Sequence, residues 1–338
     1  MGAERKWLFS LFSAAFVSFL MFLSFISGFS STNYNEFSSH KPFDSAVLRG
    51  PGHPPAFAYY IFGGRGDGER IFRLLLAVYH PRNRYLLHIS ADGGDEERAR
   101  LAALVKSVPA VRAFENVDVF GKPDPNTLMG STNIAAILRA AAVLLKMDEG
   151  WDWFLTLSAM DYPLVTQDDL SHVFSSVKRD LNFIDHTSDL GWKESQRIEP
   201  IVVDPGIYLA RRTQIFHATE KRPMPDAFKV FTGSPWVVLS RSFLKFCVFG
   251  WDNLPRTILI QFEKDQPVLD MIDRKILMRG RNRVTPGAWC KGRQSWLMDP
   301  CSQWGNVNVV KPGPQVKIFE ESINKLISDW NSELDTCT

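Results

Sequence analysis

The chain lacks most of the motifs that announce a common chemistry. Its four cysteines, Cys247, Cys290, Cys301 and Cys337, form no Cys-x-x-Cys pair, which argues against a zinc ribbon or thioredoxin-type exchange. Seven scattered His show no ligand spacing, and no Asp-x-Asp pair ends a strand to hold a divalent cation beside a nucleotide. No metal or other cofactor is expected. There is no Gly-x-Ser-x-Gly elbow, which counts against a lipase or esterase. Charge of one sign is also missing: 39 basic and 37 acidic residues are interspersed, for a net +2. Such a surface offers no long-range field to nucleic acid. Asn-x-Ser/Thr acceptors are absent as well, so glycosylation gives no clue to compartment.

What is present begins with one long apolar run. No charge interrupts Trp7 to Phe29, Arg5 and Lys6 precede it, and the next charge is Glu36. A bilayer core takes roughly 20 apolar residues at about 1.5 Å rise each. Basic residues before the run keep that flank in the cytoplasm and send the rest across. A cleaved signal peptide is the competing reading, but its apolar region is about 7–15 residues and ends in small residues; here Phe is spread throughout. The expected organisation is a cytoplasmic tail (1–6), a transmembrane signal anchor (7–29), a flexible stem rich in Ser, Asn, Gly and Pro (30–55) and a lumenal domain (56–338).

Within that domain apolar runs and helical periods alternate. Strands are predicted at Ala56–Phe62, Tyr85–Ile89, Asn116–Phe120, Trp153–Ser158, Leu181–Ile184 and Trp236–Ser240. Helices are predicted at Glu69–Tyr79, Asp95–Val108, Ser131–Met147, Gln167–Ser176 and Pro267–Leu277. Strand–helix alternation reads as an α/β fold, a Rossmann-type, mostly parallel sheet with flanking helices. Ligands of such sheets bind outside the carboxyl ends of the strands, here Gly63–Gly68, Ser90–Gly94 and Ser158–Pro163.

The glycine loop Gly63–Gly68 could bring backbone N–H groups to a diphosphate, or it could be a tight turn. It fits neither the Walker A pattern nor the dinucleotide fingerprint. Asp161 could serve a ligand, or could be an Asx turn before Pro163. Asp168 and Asp169 suit the first turn of a helix. Without a metal, a diphosphate needs cations, and Lys264, Arg274, Lys275, Arg279, Arg281 and Arg283 are candidates. In an oxidising lumen the cysteines should pair. Cys290–Cys301 is the favoured bridge, because Gly, Lys, Arg and Gln between them read as a loop.

Three ordered blocks carry a resemblance. The first is Tyr59–Ile61 with its glycine loop, Arg73–Asn83 and Tyr85–His88; the second is Trp151–Leu164; the third is Phe228–Trp236 and Trp251–Arg256. Together they resemble the core-2/I-branching β-1,6-N-acetylglucosaminyltransferase family, and within it the plant β-glucuronosyltransferases acting on arabinogalactan. The resemblance implies a GT-A-like fold, a UDP-sugar donor, a galactose-containing glycan acceptor, inversion at the anomeric carbon and no metal. It also implies a single-pass type II Golgi membrane protein, with complexes with other glycosyltransferases as a further expectation. On the donor side it points to Ile61, Phe62, Ser90 and Asp161, with Ser90 standing where many members have Asp; Lys264, from the cation candidates above, is added to the donor side. On the acceptor side it points to Asp185, Lys193 and Arg197.

One departure is large. Family members carry several tens of residues between the positions of Arg256 and Gln266, including a Ser-Pro-x-Glu-like segment whose Glu is the presumed base. This chain runs almost directly from Arg256-Thr257 to Asp265-Gln266, an internal deletion near 257–265. No residue is assigned as base. Glu263 is the candidate left, although a shortened loop has no reason to bring it within about 2.6–3.2 Å of an acceptor proton. The alternative from another class is a non-catalytic UDP- or glycan-binding pseudoenzyme, or a partner of an active homologue.

The topology is directly testable. In sealed microsomes, residues beyond about Ser30 should resist added protease until detergent opens the vesicle; digestion of the C-terminal domain without detergent would overturn the orientation.

Overall fold

Phe57–Gly63 (β1) is apolar on both sides because water reaches neither. Its odd residues Phe57, Tyr59 and Ile61 join one buried cluster, and Ala58, Tyr60 and Phe62 join another. In the computed structural model this strand is the centre of the domain. The structure describes residues 47–127, 130–187, 198–208, 214–221, 223, 232–234, 236–250, 283–292, 299–314 and 316–336. The expected anchor, Lys193, Arg197, the junction near 257–265 with Glu263 and Lys264, and the helix expected at Pro267–Leu277 lie outside the described residues. Among the described residues no helix is long and apolar enough to cross a membrane.

From β1 the chain passes through Gly68–Val78 (α1), Arg84–Ile89 (β2), Asp95–Ser107 (α2), Pro109–Phe114 (α3) and Val117–Val119 (β3). Ser131–Met147 (α4) then leads to Trp153–Ser158 (β4) and Gln167–Ser175 (α5). Two short ribbons follow: His186–Thr187 (β5) pairs with Thr232–Gly233 (β8), and Pro200–Val203 (β6) with Phe216–Lys221 (β7). Val238–Ser240 (β9), Arg241–Phe249 (α6) and Val316–Thr336 (α7) complete the described elements.

The main sheet has the order β3-β2-β1-β4-β9. β1, β2, β3 and β4 run parallel, and β9 closes the edge antiparallel to β4. Helices cover both faces. Ile71, Leu74, Leu75 and Val78 of α1, Leu101 of α2, Phe174 of α5 and Ile323 of α7 pack with Tyr59 and Ile61. Ala140, Ala141 and Leu144 of α4 and Leu244 of α6 pack with Tyr60 and Phe154. Full burial on both faces is why the parallel strands read as unbroken apolar runs rather than alternating ones.

Most expected elements fall within a residue or two of those observed, and the differences have physical causes. Leu181–Ile184 forms no strand: Phe183 alone bridges to Val238, and pairing resumes at β5. The β6–β7 ribbon, α3, α6 and α7 were not expected. The ribbon leaves Val202 and Phe216 exposed, so it lacks the alternation that marks a half-buried strand.

The C-terminal segment is held by the acids at the start of α5. Thr166 and Asp169 form a capping box, and Asp169 Oδ1 also accepts the Gly313 N–H at 2.6 Å. Asp168 Oδ2 accepts the N–H groups of Ala288 and Lys311 at 2.9 and 3.0 Å. A disulfide joins Cys290 to Cys301 across this segment. Beside it, the buried guanidinium of Arg82, which also bonds Asn308 Oδ1, donates to the carbonyl of Leu48 at 2.8 Å and to that of Pro54. Arg179 donates to the carbonyl of His53 at 2.6 Å. Residues 48–54, within the stretch read as stem, are therefore fastened to the domain.

Two histidines are enclosed. His80 accepts the Arg82 N–H on Nδ1 at 3.1 Å, and burial, with repulsion from Arg82, pushes its pKa down to about 3. Its Nε2 faces Asp168 Oδ1 at 3.7 Å, yet burial also raises the Asp168 pKa. Both groups thus shift toward neutrality, and desolvation outweighs their attraction. His88 is pushed down to about 4, again mainly by burial.

A His whose folded pKa lies below its unfolded value of 6.5 binds a proton more readily in the unfolded chain. Stability is then full above about pH 6.5 and falls as pH drops toward about 4 and about 3. Near pH 5 each His should cost about 2 kcal/mol, partly offset in more acid solution by Asp168. Denaturant unfolding measured against pH checks this, and His88→Gln should remove about half of the slope. A stability independent of pH between about 7 and 5 would contradict it.

Candidate functional site

The strand order reverses at β1: β2 lies on one side and β4 on the other. The α/β crossover connections therefore part here, and the carboxyl ends of β1 and β4 are the place where sheets of this kind form a ligand crevice. Two backbone bonds define its floor. Gly63 O accepts the Ser90 N–H at 2.9 Å, and Phe62 O accepts the Ala159 N–H at 2.7 Å. Gly63 is required by crowding, since a Cβ there would stand 2.7 Å from Asp67 Cβ and 3.0 Å from Ala159 Cβ. The register places Ile89 beside Gly63 and Ser158 beside Phe62. Ser90 and the turn carrying Asp161 thus flank the end of β1 from its two sides.

Of the donor-side candidates, Ile61 is fully enclosed in the core and Phe62 stacks on Tyr60 with ring centroids 5.3 Å apart. The Ile61 side chain presents no surface to a ligand in this conformation. Ser90 donates its hydroxyl to Asp92 Oδ1. Burial opposes the charge on Asp92, but bonds from the Ser90 hydroxyl and the Arg65 N–H outweigh it and keep its pKa below the usual carboxylate range. A carboxylate therefore stands beside Ser90, two residues further along. Asp161 forms no Asx turn, since Pro163 two residues on has no N–H; instead it closes a turn backward, its Oδ2 accepting the Ser158 N–H at 2.6 Å and its own N–H returning to Ser158 O at 3.0 Å. The same Oδ2 accepts the indole N–H of Trp236 at 2.7 Å.

The amides of the glycine loop are occupied by carboxylates, one of its own and two from elsewhere in the chain. Gly64 N–H goes to Asp67 at 2.9 Å and Arg65 N–H to Asp92 at 3.2 Å. Gly66 and Gly68 both donate to Glu97 Oε1, each at 3.0 Å. Gly66 sits at φ +86°, a left-handed conformation natural to glycine. Carboxylates have thus taken the amides that a diphosphate would need. Of the two readings left open for this loop, phosphate cradle or tight turn, the structure favours a tight turn locked from α2 and the β2–α2 loop. Three cations stand around it: Arg65 Nε donates to Asp92 O at 2.8 Å, Arg70 pairs with Asp67 at 3.1 Å, and Arg73 lies 5.3 Å over the Tyr162 ring.

Further along the same rim, the loop after β3 is tied to β2. Ala91 N–H donates to Asp124 O at 2.9 Å, and Asp124 N–H to His88 Nε2 at 3.2 Å. Since Nε2 accepts, the neutral imidazole carries its proton on Nδ1, directed at Tyr60 Oη 2.7 Å away. Asp124 is paired in turn with Arg139.

Asp185, an acceptor-side candidate from the sequence, is exposed just before β5. Its carbonyl accepts the Ser234 N–H at 2.9 Å. Lys193, Arg197, Lys264 and Glu263 are not among the described residues. Within those residues no group of three or more His, Cys, Asp or Glu is arranged to hold a metal ion. Sequence reading missed Asp92, Glu97 and Trp236. Ser90-Ala91-Asp92 hinted at the first; nothing local reveals the other two, whose partners lie 29–31 and 75 residues away.

Comparison with known proteins agrees with this architecture. The profile of the Core-2/I-Branching enzyme family matches residues 57–271. The chain is 39% identical to β-glucuronosyltransferase GlcAT14A of Arabidopsis thaliana over 349 aligned positions, covering 84% of this chain and 78% of the relative. It is 50% identical to GlcAT14C of the same plant over 232 positions, covering 67% of this chain and 60% of the relative. Similarity to human xylosyltransferase 1 is lower, 28% over 205 positions, 60% of this chain and 20% of that protein. With a profile spanning the whole parallel core and identities this high over most of the chain, the protein belongs to the Core-2/I-branching family of glycosyltransferases.

Proposed function

We propose that the chain is built on the plan of an inverting, metal-independent enzyme that moves glucuronic acid or N-acetylglucosamine from a UDP-sugar to a galactose-containing glycan such as arabinogalactan. The observation that supports this most is the 39% and 50% identity with two Arabidopsis β-glucuronosyltransferases over 84% and 67% of this chain. On this reading the donor lies against the carboxyl ends of β1, β2 and β4, beside Ser90, Asp92 and Asp161. Ile61 and Phe62 build the floor. The diphosphate, denied the glycine-loop amides, depends on cations, with Lys264 among them. Asp185, Lys193 and Arg197 face the acceptor. The setting would be the Golgi lumen, with the N-terminal run as anchor.

Transfer needs the acceptor hydroxyl oxygen to attack the anomeric carbon while the bond to UDP breaks on the opposite side. UDP leaves with the bonding electrons, and the hydroxyl proton passes to a base. The alignment with GlcAT14A supports a shortened chain, and a shortening that falls at the junction would remove that base. It extends over 349 positions while this whole chain has 338 residues and contributes only 84% of them. The relative thus has residues that this chain lacks, in keeping with the shortened junction near 257–265. The same observation favours a second reading, a protein that binds UDP and glycan without turnover.

A positioned base contributes about 10²–10⁴ in rate. The full chain in detergent should therefore bind UDP but transfer labelled glucuronic acid or N-acetylglucosamine to galactan at least about 100-fold more slowly than GlcAT14A. Equal turnover would show the deletion harmless, and loss of that turnover in Glu263→Gln would identify the base. Failure to bind UDP would overturn the donor-site reading.

A further inference from the structure

The hydrogen bonds around Asp161 continue past the donor side of the crevice. Asp161 Oδ2 accepts Trp236 Nε1–H at 2.7 Å. Trp236 donates its own N–H to Ser234 Oγ at 3.2 Å, and Ser234 donates its N–H to the carbonyl of Asp185 at 2.9 Å. A continuous path thus runs from the end of β4 to the residue before β5. It is also short of slack. At Gly233 a Cβ would meet Asp185 O at 2.3 Å, so the β5–β8 ribbon sits backbone against backbone. Phe183 and Val238 exchange both of their N–H···O bonds, at 2.8 and 3.0 Å, which fixes the base of the ribbon to β9.

One link in this path joins the ribbon to the turn after β4 through side chains. The indole N–H of Trp236 is that link, half-buried and directed at a carboxylate. Asp161 does not depend on it for its own place, because the Ser158 N–H holds the same oxygen at 2.6 Å. Removing the indole N–H should therefore leave the donor side as it is and untie the ribbon from the turn after β4, while its base stays on β9.

We propose that Trp236 is a positioning residue, which sets the distance between the donor-side turn at Asp161 and the acceptor-side ribbon carrying Asp185. The inference rests on the acceptor-side reading given above. Trp236 touches neither substrate in this scheme; it acts through Ser234 and Asp185.

The test uses the full chain in detergent, with UDP and a β-linked galactan oligosaccharide as separate probes in titration calorimetry. Binding is read rather than turnover, so the missing base segment does not obscure the result. Trp236→Phe retains a ring and deletes the N–H. Galactan affinity should fall about five- to tenfold, the scale of one hydrogen bond to a charged group, with UDP affinity unchanged. Ser234→Ala breaks the next bond and should weaken galactan in the same direction. The double variant should bind no worse than Trp236→Phe alone, because both lesions lie on one path. Unchanged galactan affinity in Trp236→Phe would overturn the proposal, as would parallel losses of both affinities and of thermal stability, which mark a merely structural residue. If the unaltered chain binds UDP and no galactan, the acceptor-side reading itself fails. If it binds neither, the functional reading fails as a whole.

Discussion

The structure depends on two carbonyls at the end of the central strand. Phe62 O and Gly63 O point to opposite sides of β1, and each accepts a backbone N–H from a different loop, Ala159 after β4 and Ser90 after β2. Those bonds extend the parallel ladders one step past the sheet, where the strand order reverses. Everything on the rim inherits its place from them. Ser90 orients Asp92, and the turn that follows Ala159 presents Asp161 to Trp236. Burial of β1 on both faces makes this anchor rigid, since its side chains are close-packed in two separate cores. The crevice is loop chemistry on a scaffold that has no freedom to move beneath it.

Electrostatics then divides the rim. The glycine loop is saturated by Asp67, Asp92 and Glu97, so an anion arriving there meets carboxylates before amides. A UDP-sugar enzyme with such a loop must place its diphosphate against side-chain cations, and the need grows in a family scheme without a metal. Arg65, Arg70 and Arg73 surround the loop but are engaged with Asp92, Asp67 and the Tyr162 ring. This is the physical reason why the proposed donor site gives weight to the cations within 264–283, Lys264 included.

How far the sequence anticipates this is uneven, and the unevenness follows from burial. β1, β2, β4 and α4 are legible because their apolar residues are enclosed, so the pattern carries the structural information. The helix α7 escaped notice although Val316 and Ile323 are buried and Phe319 and Ile327 pack on the core. Exposed Ile318 and Leu326 on its other side blur the stripe. At the site, Asp161 could be read either as a turn residue or as a ligand group; the structure makes it a turn residue whose carboxylate stands at the crevice. The glycine loop stays open between two readings in the sequence for a different reason. Sequence reveals which backbone can approach a phosphate, while the acids that occupy its amides come from 27–31 residues away. Partners that distant are set by the strand register, which no local pattern encodes.

The central claim, that ligand chemistry is gathered where β1 parts from β2 and β4, is open to one direct measurement. Amide hydrogen exchange on the full chain, with and without saturating UDP, reports each loop separately. The account predicts slowed exchange in Gly63–Gly68, Ser90–Gly94 and Ser158–Pro163, with α7 and the β6–β7 ribbon unchanged. Protection confined to α7 or to β6–β7, with those three loops unaffected, would contradict it.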